Sequence, residues 1–448
     1  MQHWVSEWRK NEHEELNQSV IHAIKRCLLD TLGVICKGST YSNMPPLKEI
    51  LNSNGNSYAF GLGNLEASDA ALWNGTAAHS VELDDFYREG SVHPGVVVIP
   101  VALAIGQEIN ASGIEVLKSI LIGYEVMTIV GMSAKGTLYN RGFHPTSICG
   151  VYGAAAASSY LLGLSEKQIQ MAFGIAGNNS FGLMAYKSNG AWTKRLNAGW
   201  AAKTGIIAAK LAKAGFIGPD DIFEGRYGFS QAFCEEFTND FLKSIENKPF
   251  SIEGISFKPY SSCRFTHSPI DAFLEILNEH HFELDEIEEI KVFTHKTAIE
   301  ATMKPAERKY NPSTTVDAQF SIPYCLGLIA KYKKVTPEMF EETAIGDQEV
   351  LNIASKVSGY EDEAYTNLFP KQNACKLIII TASNTYEKVI MNSKGDPEYP
   401  LTDEEVKGKF INLTKNILKQ TQQDEIISAV FSLESMESLN TFADILKK

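Results

Sequence analysis

Apolar residues recur at helical spacing along most of the first half of the chain, a pattern that predicts amphipathic and buried helices. The predicted helices span residues 20–32, 68–81, 96–109, 116–132, 147–162, 166–177 and 198–215. Gly33 follows the first of these segments and is expected to end that helix. Small residues dominate the segment 147–162, which allows neighbouring helices to approach closely. The first half of the chain therefore predicts a tightly packed helical bundle.

The pattern changes near Ile252, where segments rich in β-branched residues begin to predict strands. The predicted strands span residues 286–294, 374–381 and 386–391, with helices at 268–278, 319–332 and 349–357. A linker containing two prolines follows at 395–401, and helical spacing returns at 402–419 and 424–432. The predicted fold is mostly α: a large all-helical domain from residues 1–255 and 400–448, and a smaller α+β domain from residues 256–399.

The composition narrows the choice of partners and compartment. The chain has 448 residues, 44% hydrophobic and 21% charged, which indicates a globular protein. A net charge of -13 disfavours nucleic acid and anionic membranes, and no apolar run reaches the roughly 18–20 residues of a membrane span. The odd number of scattered cysteines favours a reducing compartment, and the polar segment 1–15 favours the absence of a signal peptide. The predicted location is the cytoplasm.

Histidines and acids cluster between residues 79 and 93. On a continuing helix, His79 and Glu82 lie one turn apart, as do Glu82 and Asp85, so their side chains would share a face. His93 follows after a loop, in the sequence HPG. A carboxylate beside a histidine fixes the ring tautomer and raises its basicity, as a general base requires. The alternative is a solvated helix end with one structural histidine.

A second cluster precedes the helix of small residues. His144 stands before Pro145, with Arg141 shortly upstream, and Thr146 or Ser147 is the expected N-cap. The free N–H groups at a helix start attract carboxylates. We interpret His144 and Arg141 as a binding corner for an anion, with a capping loop around a buried histidine as the alternative.

Two adjacent cations, Lys194 and Arg195, begin the next predicted helix. Cations at a helix start oppose the helix dipole, so a compensating anion is expected, either from the substrate or from the protein. Because adjacent side chains point in different directions, one of the two is expected to face a pocket, and the spacing leaves both possible. A solvated surface pair is the alternative.

A fourth cluster contains Lys258, Arg264 and His267, at the predicted domain boundary. Cations and a histidine at such a boundary fit a cleft for an anionic ligand, although an ordinary polar linker would look the same. We predict no cofactor and no metal, because the sequence has no Walker A motif, no glycine fingerprint, no HExxH motif and no CxxC pair.

These clusters, in this order, resemble the MmgE/PrpD family over nearly the whole chain. The motifs that carry the resemblance are NGTAAHSVELDD (74–85), HPG (93–95), GFHPTSICG (142–150), TKRLNAGWAA (193–202), KPYSSCRFTH (258–267) and AQFSIPY (318–324). The family contains 2-methylcitrate dehydratase, cis-aconitate decarboxylase and iminodisuccinate epimerase. The resemblance implies a helical domain built from both chain ends, an α+β lid domain and a homodimer.

The resemblance implies site residues at Glu82 or Asp85, His93, His144, Lys194 and His267, and the clusters described above add the others. We expect the catalytic residues to be Asp85, His93, His144, Lys194 and His267. We expect the substrate-binding residues to be Glu82, Arg141, Lys258, Arg264 and Tyr324. In the predicted mechanism His93 or His144 is the base, Asp85 orients His93, and His267 is the acid.

The predicted reaction is proton transfer at a carbon next to a carboxylate in a small polycarboxylic acid. Phe86-Tyr87 stands where decarboxylase members have a Thr-Trp pair, and Ile322 where they use a tyrosine, although Tyr324 is close by. These departures disfavour a decarboxylase, and the dehydratase's longer Gly-rich stretch after HP is also absent from HPGVVVIP (93–100). We predict a hydro-lyase resembling 2-methylcitrate dehydratase, with an iminodisuccinate-type epimerase or a cis-aconitate decarboxylase as the alternatives. The remaining alternatives are a metal-dependent dehydratase and a binding protein that has kept the fold without catalysis.

Overall fold

The computed structural model describes residues 1–10, 16–243 and 249–447, so residues 11–15 of the polar N-terminal segment lie outside the described residues. The helices up to residue 243 are α1 (Gln2–Lys10), α2 (Gln18–Gly38), α3 (Met44–Lys48), α4 (Ala67–Ser80), α5 (Gly95–Ile109), α6 (Gly113–Ser133), α7 (Thr137–Asn140), α8 (Pro145–Leu161), α9 (Glu166–Asn178), α10 (Thr193–Lys213), α11 (Phe229–Phe233) and α12 (Asp240–Lys243). The later helices are α13 (His267–Glu279), α14 (Lys296–Thr302), α15 (Ala306–Tyr310), α16 (Thr315–Gln319), α17 (Ile322–Tyr332), α18 (Gln348–Ser355), α19 (Glu363–Leu368), α20 (Asp403–Thr414), α21 (Gln420–Phe431) and α22 (Leu439–Lys447). The strands are β1 (Ser57–Ala59), β2 (Gly63–Leu65), β3 (Ile287–Thr294), β4 (Val357–Glu361), β5 (Cys375–Thr381) and β6 (Thr385–Ile390).

The chain divides into two compact units. The first, called the helical unit, comprises Met1–Tyr186, Trp192–Ser256 and Thr402–Lys448; the second, called the mixed unit, comprises Lys187–Ala191 and Phe257–Leu401. The sequence places the divisions after residues 255 and 399, whereas they fall after 256 and 401. The short segment 187–191 belongs to the mixed unit, where Arg308 donates to the carbonyl of Lys187 at 3.1 Å.

Glycines bring α4 and α10 into backbone contact. A Cβ atom on Gly199 of α10 would lie 2.2 Å from the carbonyl O of Leu72 and 2.3 Å from Oγ1 of Thr76. A Cβ atom on Gly75 of α4 would lie 3.0 Å from the Cα of Gly199. The predicted close packing of helices through small residues is confirmed, and it sets the spacing between two helices that carry candidate site residues.

Gly33 does not end helix α2, which continues to Gly38. It faces α20 instead, where an added Cβ would lie 3.4 Å from the Cα of Phe410. The prediction of a helix end is wrong because this glycine provides a close helix contact and not a turn.

The helical unit also contains a short antiparallel hairpin, β1–β2, so the prediction of an all-helical domain is too simple. Gly61 lies in its turn and Gly63 begins β2, and their positive φ angles of 72° and 103° suit glycine.

Helix α6 is long enough and apolar enough to cross a membrane by length and composition alone, contrary to the prediction that no segment is. The whole apolar window of this helix is buried inside the fold. Two charged residues on it, Lys118 and Glu125, are buried as well. This burial is that of a core helix.

The mixed unit is built on a four-stranded sheet of order β4-β3-β5-β6. Strands β3 and β4 are parallel, and the other neighbours are antiparallel. The sequence predicts β3, β5 and β6 but gives residue 357 as a helix end, whereas Val357 begins the edge strand β4. Strand β4 contains Gly359 and polar residues, so no alternating apolar pattern marks it.

We expect Gly199→Ala to lower the free energy of unfolding by roughly 1–3 kcal/mol, the usual cost of overpacking, because the added methyl meets the α4 backbone. Gly408→Ala in α20 is the matched control, since its Cβ would meet no atom within 4 Å. The control should gain up to about 1 kcal/mol of helix propensity. Urea unfolding followed by circular dichroism measures both. Equal stability of the two variants would contradict the close α4–α10 contact.

Candidate active site

The first cluster lies on the loop that follows α4. The helix ends at Ser80, and Glu82 has a φ of 55°, a left-handed conformation that is unusual for a residue with a side chain. The chain therefore leaves the helix axis, and the predicted helical face of His79, Glu82 and Asp85 does not form. The turn instead brings Asp84 back to the ring of His79.

A lysine near the C-terminus supports this loop. Nζ of Lys409 in α20 donates to the carbonyl O of Leu83 at 2.6 Å and lies 2.6 Å from Oδ1 of Asp30. Burial raises the pKa of Asp30, and Lys409 partly offsets that shift. The loop is thus tied to residues that lie far away in the sequence.

One carboxylate oxygen contacts two histidines. Oδ2 of Asp84 lies 2.9 Å from Nδ1 of His79 and 2.9 Å from Nδ1 of His93. Asp84 and His79 are buried, whereas His93 keeps 13% of its side chain exposed. Because an ionised carboxylate only accepts hydrogen bonds, both ring nitrogens are donors. Neither Asp84 nor His79 belongs to the site predicted from the sequence.

The contacts of His93 fix its tautomer. Its Nδ1 also lies 2.7 Å from the main-chain carbonyl O of Asp85, an acceptor that requires a proton on that nitrogen. The ring nitrogen Nε2 therefore carries the basic lone pair when His93 is neutral. The ring packs against Phe86 at a centroid distance of 5.0 Å, and the backbone N–H donates to Oγ1 of Thr146 at 3.1 Å. The ring of His93 is therefore held in one orientation.

His144 joins the same group from the start of α8. Its Nε2 lies 3.5 Å from Nε2 of His79, and the two rings stack at 5.4 Å with an angle of 18°. The side-chain amide of Asn197 lies 3.4 Å from Nδ1 of His144. Burial lowers the pKa of His79 to about 3, although Asp84 opposes the shift, so this ring is neutral. Three histidines on separate stretches of chain thus form one cluster.

Lys194 and Arg195 point to different places, as predicted. The ammonium of Lys194 pairs with the carboxylate of Glu82, and both side chains are buried. Lys194 also acts electrostatically on His79, lowering its pKa. Arg195 instead donates to Oδ1 of Asn43 at 3.0 Å. The expected compensating anion for this helix start is Glu82.

Asp85 orients His93 as predicted, but through its main-chain carbonyl and not through its carboxylate. The two carboxylate oxygens accept hydrogen bonds from Tyr124 at 2.6 Å and from the backbone N–H of Gly95 at 2.9 Å. Burial raises the pKa of Asp85 to about 7. Asp85 anchors the loop to α5 and α6, and its neighbour Asp84 makes the carboxylate contact with the ring.

The anion-binding site predicted from His144 and Arg141 at the start of α8 does not form. Arg141 is exposed and donates to the carbonyl of Ala232 at 3.3 Å, away from the histidines. The N-cap of α8 is His144 itself, and not Thr146 or Ser147. Of the residues predicted in this stretch, the helical unit places His144 in the cluster and leaves Arg141 outside it.

His267 and Arg264 form a group within the mixed unit. Nη1 of Arg264 donates to Nδ1 of His267 at 2.8 Å, and Nε2 of His267 lies 3.3 Å from the carbonyl O of Ser262. A guanidinium only donates, so Nδ1 is unprotonated and the ring is neutral with its proton on Nε2. Arg264 also pairs with Asp396 at 2.6 Å, so its charge is already compensated.

Two further predicted residues are buried in the mixed unit. Lys258 is buried near the start of that unit. Tyr324 lies in the core on α17, and its hydroxyl is 3.4 Å from the carbonyl O of Met339. Burial raises the pKa of Tyr324. The prediction that Tyr324 binds substrate is not supported by this core position.

The histidine cluster of the helical unit combines three chemical abilities: an oriented lone pair on His93, N–H donors on neutral rings, and a buried cation on Lys194. Such a set can take a proton from a weak carbon acid and return one. Within the described residues, no group of three or more His, Cys, Asp or Glu side chains is placed to hold a metal ion.

The pKa of His79 predicts how stability depends on pH. The folded value of about 3 lies below the ordinary 6.5, so only the unfolded chain gains this proton as the pH falls between those values. Stability from His79 is therefore lost as the pH falls from about 6.5 to about 3. We expect the free energy of unfolding of the wild type, measured with urea, to exceed that of His79→Gln by less at pH 4 than at pH 7. A difference that is constant with pH would contradict a neutral buried His79.

Comparison with known proteins identifies the family. The MmgE/PrpD N-terminal domain matches residues 3–242, and the MmgE/PrpD C-terminal domain matches residues 260–435. The chain is 28% identical to cis-aconitate decarboxylase-like protein oryM of Aspergillus oryzae, over 96% of this chain and 93% of that protein. It is 27% identical to human cis-aconitate decarboxylase, with 96% and 91% covered, and 24% identical to the Aspergillus terreus enzyme, with 84% and 80% covered. The chain belongs to the MmgE/PrpD family.

Proposed function

We propose that the protein is a lyase that transfers a proton at a carbon next to a carboxylate in a small polycarboxylic acid. The observation that carries the proposal is the state of His93. Its Nδ1 is held by Asp84 and by the carbonyl of Asp85, which directs the basic Nε2 away from the protein contacts of Nδ1. A fixed lone pair on a partly exposed histidine is the arrangement expected of a general base.

Asp84 supports that role electrostatically. When Nε2 of His93 takes a proton, the ring becomes an imidazolium, and the carboxylate 2.9 Å from Nδ1 stabilises the new charge. The carbanion formed next to the substrate carboxylate carries an additional negative charge. Lys194 lies in the same cluster and favours that charge, since buried cations act more strongly than exposed ones.

His144 is proposed as a hydrogen-bond donor and not as the base. Its Nδ1 faces the amide of Asn197, and its Nε2 faces the unprotonated Nε2 of neutral His79. A proton on Nε2 of His144 satisfies both contacts. The sequence leaves His93 and His144 as equal candidates for the base, and these contacts favour His93.

His267 remains a proposed acid. Its neutral ring keeps a proton on Nε2, which is the nitrogen able to donate. Lys258 remains a proposed ligand for a substrate carboxylate. The support for both residues is the family resemblance, together with their burial in the mixed unit.

The first substrate we propose to test is cis-aconitate. Three relatives that match over most of their lengths carry the name cis-aconitate decarboxylase or a name derived from it. In decarboxylation the electron pair left by carbon dioxide is protonated on carbon, which requires the donor groups described above. Water loss from a citrate-like acid is the second candidate, because Phe86 packs on His93 where decarboxylase members are expected to have a threonine.

A panel of cis-aconitate, citrate, 2-methylcitrate and iminodisuccinate, followed by proton NMR in deuterated water, tests the proposal. We expect one acid to lose either carbon dioxide, with deuterium entering the product next to a carboxylate, or water, with deuterium entering the remaining acid through the reverse reaction. Inversion without loss would replace the lyase by an epimerase. If no acid in the panel shows turnover or exchange at the carbon next to a carboxylate, the enzymatic proposal fails in favour of a binding protein.

We expect His93→Gln to reduce kcat by more than about a hundredfold, since it removes the base. Asp84→Asn should reduce kcat by at least about tenfold, because the neutral amide no longer stabilises the positive charge that His93 gains with the proton. His22→Gln is the control, because His22 lies on the surface and pairs with Asp403. Steady-state kinetics on the acid identified above measures all three. Near-normal turnover by His93→Gln would remove His93 from the mechanism.

A further inference from the structure

His79 is a buried histidine that the predicted mechanism does not use. Its side chain has no exposed surface, and it lies between the carboxylate of Asp84 and the ring of His144. It makes one hydrogen bond through each ring nitrogen. A space-filling histidine would not need polar partners on both sides that are themselves candidate catalytic groups.

Asp84 and Asn197 stand at the two ends of this series of hydrogen bonds and determine which atom donates in each of them. Asp84 accepts, so Nδ1 of His79 carries the proton and Nε2 carries the lone pair. That lone pair requires a proton on Nε2 of His144, which leaves Nδ1 of His144 to accept from Asn197. The four groups therefore have one consistent donor–acceptor order.

Asp84 connects His93 to these hydrogen-bonded groups. Oδ2 of Asp84 accepts a hydrogen bond from His79 and lies 2.9 Å from Nδ1 of His93, whose N–H donates to the carbonyl O of Asp85, so both rings lie beside one negative charge. The other charged groups around His79 are Lys194 and its partner Glu82. The amount of charge that Asp84 offers to His93 thus depends on the N–H group of His79.

We propose that His79 is a positioning residue that holds His144 as a donor and moderates the charge that Asp84 offers to His93. The proposal rests on the proposed function, because it gives these two histidines their roles in proton transfer. His79 itself does not contact the substrate. It acts only through the hydrogen bonds of its two ring nitrogens.

The test compares two substitutions of similar size. His79→Leu fills the space without polar atoms. His79→Gln supplies one donor and one acceptor but has no titrating group. We expect His79→Leu to reduce kcat by at least about tenfold with little change in KM. We expect the kcat of His79→Gln to be several-fold higher than that of His79→Leu. A purely structural role predicts the opposite order, since leucine suits a buried apolar site better than an amide does.

The pH profile of kcat/KM gives a second readout. Without the N–H of His79, no ring shares the charge of Asp84, so this carboxylate interacts more strongly with the imidazolium that His93 becomes when it takes the substrate proton. We expect the acid limb of the profile to move to higher pH in His79→Leu and to move less in His79→Gln. His295→Gln is the matched control: His295 is buried and bonded to Asn373 at 2.7 Å in the mixed unit. Its profile should be unchanged.

Nitrogen NMR of histidine-labelled protein separates this inference from the proposed function. In the wild type we expect protonated Nδ1 on His79 and His93, and protonated Nε2 on His144. In His79→Leu we expect the His144 signals to shift toward a mixture of tautomers. These spectra need no substrate, so they test the inference even if no acid in the panel reacts. Unchanged tautomers, or full activity of folded His79→Leu with an unchanged pH profile, would overturn it.

Discussion

The structure of the candidate site depends on one buried carboxylate oxygen. Oδ2 of Asp84 accepts a hydrogen bond from His79 and lies 2.9 Å from Nδ1 of His93, and no other anion described in the helical unit contacts both rings. A buried carboxylate is costly unless it is well hydrogen-bonded, and the N–H of His79 provides part of that compensation. This contact helps to orient the ring of His93, whereas the neutral state of His79 comes from burial, which lowers its pKa in spite of Asp84.

The helical bundle makes this contact possible by bringing its backbones close together. His79 lies near the end of α4 and Lys194 near the start of α10, and the glycine contact between these helices sets how far apart they are. The left-handed turn at Glu82 then reverses the chain so that Asp84 meets His79. A residue with a side chain rarely adopts this conformation unless the surrounding structure requires it, which fits a loop constrained at several points.

Much of the fold follows from the sequence because helical periodicity and small residues are local signals. The long helices α4, α5, α6 and α8 lie close to their predicted bounds. The edge strand β4 is missed because half-exposed polar residues and a glycine give no alternating pattern. Gly33 is misinterpreted because a glycine that permits close packing looks, in one dimension, like a glycine that ends a helix.

The site was predicted less completely because its key contact depends on a backbone reversal. Motif resemblance identifies His93, His144 and Lys194, which the helical unit brings together with Glu82. It cannot say which of the adjacent acids Asp84 and Asp85 faces the ring, since helical spacing stops at Ser80. The helix spacing would have favoured Asp85, whose carboxylate instead binds Tyr124 and Gly95.

The link between Lys409 and the carbonyl of Leu83 has a consequence for the biogenesis of the protein. A ribosome releases the histidine loop long before it makes α20, so the loop waits for its support during synthesis. Before α20 is made, the nascent helical unit exposes the surface of α2 that α20 later covers, including the backbone at Gly33. A nascent chain stalled before residue 403 would therefore carry His79, His93 and His144 without the Lys409 contact that supports the loop after α4.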